Sequence, residues 1–187
     1  QAAFEAFPER HIQNRQDGFA RRLNQSAQPL PKVQYEAAGE KFFRPDSLGG
    51  LLELLGRFAD ARLIAGATEL GLDITKRFRK FATLVSVEAV PELKEIKRTD
   101  SEWRIGAAVT LTQIEEQMAL EYPVLADMLR VFGSRLIRNR ATMGGNLVTA
   151  SPIGDSAPLL LALDAQVVLV SLQSGTPALL SERTLPL

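Results

Sequence analysis

One succession of segments constrains this chain more than any other. An apolar run, Arg62-Leu-Ile-Ala65, passes into the glycine-containing turn Gly66-Ala-Thr-Glu-Leu-Gly71, and a second apolar run, Thr83-Leu-Val-Ser-Val87, follows. Short apolar runs bounded by glycine read as strands. Upstream, Phe42-Phe43 reads as a short strand, and Pro45-Asp-Ser47 places Asp46 or Ser47 to cap a helix. Leu48, Leu51, Leu52, Leu55 and Ala59 fall on one face of that helix, while Gly49 and Gly50 weaken its first turn. Strand, helix, strand, turn, helix-like segment, strand: this order predicts a small βαβ unit with parallel pairing.

The remainder alternates in the same way. Residues 1–41 are polar and weakly periodic, with Pro29 and Pro31 at their end, and are expected to be a linker or arm with a short helix around Asp17–Leu23 and order starting near Lys41. Pro91–Ile96 is expected as a helical turn and Trp103–Val109 as a strand. Thr110 or Thr112 caps a helix running to about Ala119. Pro123 suits the first position of the next helix, whose apolar face includes Val124, Leu125, Met128, Leu129 and Phe132, and Gly133 suits its end. Ser156 is placed to cap a helix carrying Leu159, Leu160, Leu161 and Leu163. The strand Gln166–Ser171, a turn at Gln173–Pro177 and a last short strand complete the chain.

Composition excludes several chemistries. The chain has no cysteine, so it can build no disulfide, thiolate zinc site, cysteine nucleophile or cysteine-ligated iron–sulfur cluster. Its single histidine, His11, lies in a polar stretch and rules out a multi-histidine metal site. No metal ligand set and no catalytic acid, base or nucleophile stands out. With 22 basic and 22 acidic residues the formal net charge is zero, which advertises neither a nucleic-acid nor a membrane partner. The longest apolar run, Ala157–Leu172, is broken by Asp164 and Gln166 and is too short to span a bilayer. Glu5, Glu9 and Arg10 interrupt any signal-like opening, so the cytoplasm is the expected location.

Two stretches carry binding chemistry. In the first, a strand running into the Gly66 turn leaves backbone N–H groups to face an anion, and Thr68 adds a hydroxyl. An ordinary strand–turn–helix corner fits the same residues. The absence of Gly-Lys-Ser/Thr excludes an NTPase phosphate loop, and the absence of Gly-x-Gly-x-x-Gly excludes the dinucleotide fingerprint of a doubly wound fold. In the second, Ala141-Thr-Met-Gly-Gly-Asn-Leu-Val-Thr-Ala-Ser-Pro-Ile-Gly-Asp155 gathers glycines, hydroxyls, an amide and a carboxylate. This suits a polyhydroxylated, phosphate-bearing ligand through side chains and free backbone N–H groups, and equally a turn-rich connection. About eighty residues separate the two stretches, and together they suggest a split clamp for a dinucleotide.

Leu63-Ile-Ala-Gly-Ala-Thr-Glu-Leu-Gly71, together with Ile137-Arg-Asn-Arg-Ala-Thr-Met-Gly-Gly-Asn-Leu-Val-Thr-Ala-Ser-Pro-Ile-Gly-Asp155, closely resembles the FAD-binding domain of xanthine dehydrogenases, of the molybdenum hydroxylase family. The resemblance runs from about Phe42 to Leu187. It implies an α+β, non-Rossmann FAD-binding fold of two subdomains. The first, 42–95, is a small parallel βαβ unit; the second, 96–187, has a mixed or antiparallel sheet with helices. It implies that Leu63, Ile64, Gly66, Ala67, Thr68, Glu69 and Leu70 line the FAD pyrophosphate. Thr142, Gly145, Asn146, Val148, Thr149 and Asp155 are then flavin, ribityl or adenosine contacts, and Phe132 and Gly133 a further cofactor-facing pair. Arg135, Arg138 and Arg140 are either a solvated basic face or electrostatic support for the phosphates or partner domains.

The resemblance further implies an electron-transfer role. Iron–sulfur clusters and a molybdopterin centre on other domains or subunits deliver electrons to FAD, which reduces NAD+ during hypoxanthine or xanthine oxidation. In bacterial members the iron–sulfur and FAD domains share a small subunit. Residues 1–41 would then leave the iron–sulfur domain, and the flavin domain would continue beyond Leu187, leaving this fold C-terminally incomplete. Two other readings remain: a flavin module for an aldehyde, nicotinate or carbon monoxide hydroxylase, and an interaction domain of the same fold without cofactor.

Overall fold

The computed structural model describes residues 29–173 and 179–187, with Gly18 and Arg22 of the preceding stretch. Apart from those two positions, the helix expected over Asp17–Leu23 lies outside the described residues.

Strands β1 (Val33–Ala37) and β2 (Glu40–Arg44) form an antiparallel hairpin. The two residues joining them, Ala38 and Gly39, have φ of 52° and 82°, the paired left-handed geometry of the tightest hairpin turns. Order therefore begins before Lys41, and part of the expected arm is an edge strand. The alternation of Val33, Tyr35 and Ala37 with Gln34 and Glu36 carries it, as it gives an edge strand two distinct faces.

From β2 the chain enters α1 (Leu48–Arg57), capped by Ser47, whose hydroxyl accepts the Gly50 N–H at 3.3 Å. β3 (Arg62–Ile64), α2 (Leu70–Thr75) and β4 (Thr83–Ser86) follow. The sheet order is β1-β2-β4-β3, with β4 parallel to both of its neighbours. This is the expected parallel unit, extended by the hairpin. Phe43, Leu51, Val85, Val87 and Val90 form its core, with Leu48, Leu54, Leu55 and Phe58 packed against them.

A 3-10 turn at Pro91–Leu93 leads to the antiparallel ribbon of β5 (Ile96–Arg98) and β6 (Trp103–Ile105). Then come α3 (Leu111–Met118), α4 (Pro123–Val131), the single turn α5 (Arg135–Arg138), α6 (Met143–Thr149) and α7 (Ser156–Ala162). A second antiparallel ribbon joins β7 (Gln166–Leu172) to β8 (Leu180–Pro186). The turn expected at Gln173–Pro177 falls, beyond Gln173, outside the described residues. Arg104 on β6 donates twice to Glu182 on β8, both at 2.8 Å. The hydrogen bond and charge of Glu182 raise the Arg104 pKa. Both side chains are half exposed, so the pair aligns the two ribbons more than it stabilises them.

The second core comprises Val109, Leu111, Ile114, Met118, Leu125, Leu129, Ala141 and Met143. Ala108 packs in the first core and Val109 in the second, so consecutive residues face different hydrophobic clusters where the chain leaves the turn closed by Val109 N donating to Gly106 O at 3.0 Å.

Capping chemistry sets the start of α3. Thr110 accepts the Gln113 N–H at 3.2 Å, and the Gln113 side chain accepts the Thr110 N–H at 3.0 Å. This reciprocal box settles the choice between Thr110 and Thr112. Thr110→Ala is expected to cost about 1 kcal/mol in chemical denaturation. The expected cap of α7 is corrected. Asp155 is the N-cap residue, without a side-chain cap bond, and Ser156 is already helical and fully buried. A serine inside the first turn cannot place its hydroxyl over the N–H groups two or three residues ahead.

Candidate functional site

The two glycine stretches meet. A Cβ on Gly66 would overlap the backbone carbonyl of Arg140, immediately before Ala141. Only a glycine permits this approach of two main chains. Ala67 continues the turn with φ of 60°, a left-handed conformation unusual for alanine. On its far side the second stretch is laced to the segment that links the cores. Leu111 N donates to Ala141 O at 2.9 Å, Met143 N to Val109 O at 3.2 Å, and Gly144 N to Ala107 O at 3.0 Å. Ala141–Gly144 is thus held between the Gly66 turn and residues 107–111.

The stretches offer different chemistry. Among the described residues, the backbone N–H groups of Ala67, Thr68 and Glu69 donate to no other backbone group. The sequence leads one to expect such unpaired amides at this turn. The second stretch departs from expectation. It is a helix rather than an open turn, and the amides that begin it are occupied. Met143 and Gly144 bond to residues 107–109, Gly145 N donates to the capping Thr142 hydroxyl at 3.1 Å, and Asn146 N donates to Thr142 O at 2.9 Å. Its free backbone donors are therefore fewer than expected, and ligand chemistry there falls to side chains and to the loop after Ala150, which ends α6 with φ of 47°.

The individual side chains sort by exposure. Leu63, Ala67, Val148, Thr149 and Asp155 are exposed, and Ile64, Gly66, Thr68, Glu69, Gly145 and Asn146 are half-buried. Leu70 and Thr142 are buried. Leu70 therefore has no free side chain for a ligand. The Thr142 hydroxyl is committed as a cap, and Thr149 bonds back to Gly145 O at 2.9 Å. Glu69 sits 3.9 Å from Arg77, whose guanidinium binds the buried Asp73 at 2.7 Å.

Phe132 and Gly133 form the corner where α4 ends, Gly133 with φ of 51°. Arg138 reaches this corner from α5, donating to both the Phe132 and Gly133 carbonyls at 3.1 Å. The three arginines are neither a uniform solvated face nor free phosphate ligands. Arg138 is buried and pairs with Glu115 at 3.3 Å, Arg135 pairs with Glu116 at 2.5 Å, and Arg140 pairs with Glu88. Each has its charge matched within the protein. The sequence pattern shows the arginines but not their distant carboxylates, so this assignment becomes visible only in the fold. Two further features adjoin the second stretch. The Ser156 hydroxyl, next to Asp155, is fully buried without a hydrogen-bond partner among the described residues. Val148 and Ile153 are largely exposed, apolar surface on and just beyond α6.

The chemistry of a flavin nucleotide suits these groups. The Gly66 turn presents free amides, Asn146 and the loop after it present polar side chains, Ser156 keeps an unmet hydroxyl, and Leu63 and Val148 present apolar surface. No helix among the described residues is long and apolar enough to cross a membrane, and their Asp and Glu side chains form no group of three or more that could hold a metal ion.

Comparison with known proteins places the chain in a family. Residues 34–181 match the family model described as the FAD binding domain in molybdopterin dehydrogenase. Xanthine dehydrogenase of Drosophila pseudoobscura pseudoobscura is 33% identical over 145 residues, 72% of this chain and 11% of that protein. Xanthine dehydrogenase 2 of Arabidopsis thaliana is 34% identical over 144 residues, 71% of this chain and 11% of that protein. Among solved structures, carbon monoxide dehydrogenase from Hydrogenophaga pseudoflava superposes with a TM-score of 0.69 at 27% identity, covering 84% of this chain and 52% of that chain. Quinoline 2-oxidoreductase from Pseudomonas putida 86 gives 0.67 at 28% identity, covering 75% and 48%. The chain thus spans about a tenth of the curated relatives and half of the structural ones. It belongs to the family of FAD-binding domains of molybdopterin dehydrogenases, the flavin modules of the molybdenum hydroxylases.

Proposed function

We propose that this chain binds FAD as the electron-transfer module of a xanthine dehydrogenase. The observation that carries this is the free amide turn Ala67–Glu69 seated against Arg140, beside a stretch whose remaining donors are side chains. The turn holds the pyrophosphate; Asn146, Val148, Thr149 and Asp155 hold the rest of the nucleotide, and Phe132 and Gly133 border it. Bound FAD supplies two-electron exchange with NAD+ and one-electron exchange with iron–sulfur centres. The chain's own residues bind and orient the cofactor and need no general acid or base.

The remainder of the reading is domain-level. Residues 42–95 and 96–187 act as the two FAD-binding subdomains, preceded by an arm. An iron–sulfur domain and a molybdenum-cofactor domain or subunit are the partners, purine is the substrate at molybdenum, and the location is cytoplasmic. Xanthine dehydrogenases among the sequence relatives support the purine. The carbon monoxide and quinoline enzymes among the structural neighbours favour a second reading, in which the same module serves another molybdenum hydroxylase.

The test is an absorption spectrum. The full-length protein is expected to purify with one FAD and to bleach on adding xanthine, with NAD+ restoring the colour. Bleaching by another substrate moves the reading to the second enzyme class. A protein that neither contains nor takes up flavin sinks it in favour of a cofactor-free interaction domain. Thr68→Ala and Asn146→Ala are each expected to weaken FAD by about 1–3 kcal/mol in fluorescence titration, the cost of an unmet polar contact. Unchanged affinity in both would show that the cofactor lies elsewhere.

A further inference from the structure

Phe78 is the one exposed phenylalanine among the described residues, with 83% of its surface open. Its φ is 51°, a left-handed conformation that is costly for a bulky side chain. The loop around it is held at several points. Lys76 N and Arg77 N both donate to Leu72 O, at 2.9 and 3.2 Å, and Arg79 N donates to Asp73 O at 2.9 Å. The buried Asp73 carboxylate accepts from Arg77 Nη1 at 2.7 Å and lies 3.7 Å from Arg79 Nη1. The arginines on either side of Phe78 are thus drawn back to one carboxylate, and the ring between them stands out. Glu69 and Asp73 match Arg77 and Arg79, whereas Lys76 and Lys80 pair with no carboxylate among the described residues. The tip is therefore a fixed apolar ring flanked by two unmatched cations. It also lies away from the Gly66 turn. β3 runs into that turn from its C-terminal end, the Phe78 loop enters β4 at its N-terminal end, and the two strands are parallel, with Arg62 beside Leu84 and Ile64 beside Ser86. Loop and turn therefore occupy opposite ends of the sheet.

An exposed ring and a strained backbone both destabilise the free chain, and a partner that buries the ring relieves the first. A rigid aromatic anchor beside cations is the composition of a binding hot spot. In the xanthine dehydrogenase relatives the matched residues make up 11% of the protein, so there this module has neighbours to be held against. We propose that the Phe78 loop is an assembly contact: the ring enters an apolar pocket on a neighbouring domain or subunit of the same enzyme, and Lys76 and Lys80 meet carboxylates on its rim. The rim is acidic because burying two unmatched cations against a neutral or basic one leaves them desolvated without a partner. A membrane is the poorer fit, since even a single myristoyl chain, far more apolar than one ring, binds only marginally. This contact rests on the partner domains proposed above and not on the cofactor.

Hydroxyl-radical footprinting and photo-cross-linking of the assembled enzyme test it. A benzophenone amino acid in place of Phe78 keeps an aromatic group at the tip. On irradiation it is expected to cross-link to a peptide of another domain or subunit that carries Asp or Glu. In the wild-type enzyme Phe78 is expected to be shielded from radicals. Lys76→Glu with Lys80→Glu leaves Asp73 and its arginines intact, and is expected to raise Phe78 labelling at least about tenfold, with flavin content unchanged, as like charges push the loop off the rim. Fast labelling of Phe78 in the wild-type enzyme overturns the proposal, as does a cross-link to a second copy of this loop or to a peptide without carboxylates. Labelling that the double reversal leaves unchanged also overturns it, because the lysines then meet no acidic rim. Shielding that appears only when phosphatidylcholine–phosphatidylserine vesicles are added assigns the loop to a membrane instead. A wild type without flavin removes the FAD reading and leaves this one standing, since shielding is read without the cofactor.

Discussion

Gly66→Val is expected to abolish FAD retention while the protein still expresses. The side chain it introduces meets the Arg140 carbonyl, a backbone atom fixed by the Arg140–Glu88 pair and the bonds of residues 141–144. A flexible neighbour could swing aside; a main chain tied on both sides cannot. The turn must then lift off Arg140, costing about 1–3 kcal/mol of stability by overpacking. The greater loss is in binding, because the amides of Ala67–Glu69 lose their setting beside the second stretch. Isothermal titration should show affinity reduced by at least about a hundredfold, the equivalent of two displaced hydrogen bonds. Binding within a few fold of wild type would mean that contact between the stretches is incidental to the cofactor.

Gly144→Ala pits two effects of opposite sign. In an isolated helix the change should stabilise by about 1 kcal/mol, since glycine is the poorer helix former. Here the new Cβ would lie 2.6 Å from the Ala107 Cβ and 2.7 Å from the Ala107 carbonyl oxygen. The Gly144 N to Ala107 O bond forms across the same contact, so relieving the clash breaks it. Steric cost and lost bond outweigh propensity, and a net destabilisation of about 2–3 kcal/mol is expected in urea denaturation. A more stable variant would show that α6 does not rest against residues 106–109.

These two glycines mark where the sequence is legible and where it is not. The parallel unit of β2, β3 and β4 follows from apolar runs and glycine punctuation, and the helices with local signals appear where expected. Ser47, Thr110 and Pro123 begin them and Gly133 closes one, because caps act within a few residues of the atoms they satisfy. β1 is harder to see, since Pro29 and Pro31 precede it and its turn is Ala-Gly rather than Asn-Gly. α6 is harder still. Paired glycines argue against a helix, and what requires the first of them, Gly144, is Ala107, distant in sequence, whereas Gly145 lies against the local Thr142 hydroxyl. The unpaired amides after Gly66 are foreseeable from the local pattern, whereas the occupation of the Met143–Gly145 amides is not, because their partners include residues 107 and 109. The role of Arg138 likewise depends on Glu115, twenty-three positions away.

Ala108 and Val109 are adjacent residues whose side chains enter different hydrophobic clusters. Neither cluster can melt without disturbing the strip of backbone that both are built upon. Heat or denaturant should therefore dissolve both clusters in one cooperative step rather than two. A ligand that grips only the Gly66 turn then raises the midpoint for the distant helices as well, by mass action on the shared folded state. The saturation of a small nucleotide pocket would be readable from the unfolding of Ile114 and Leu125, residues that need never touch it.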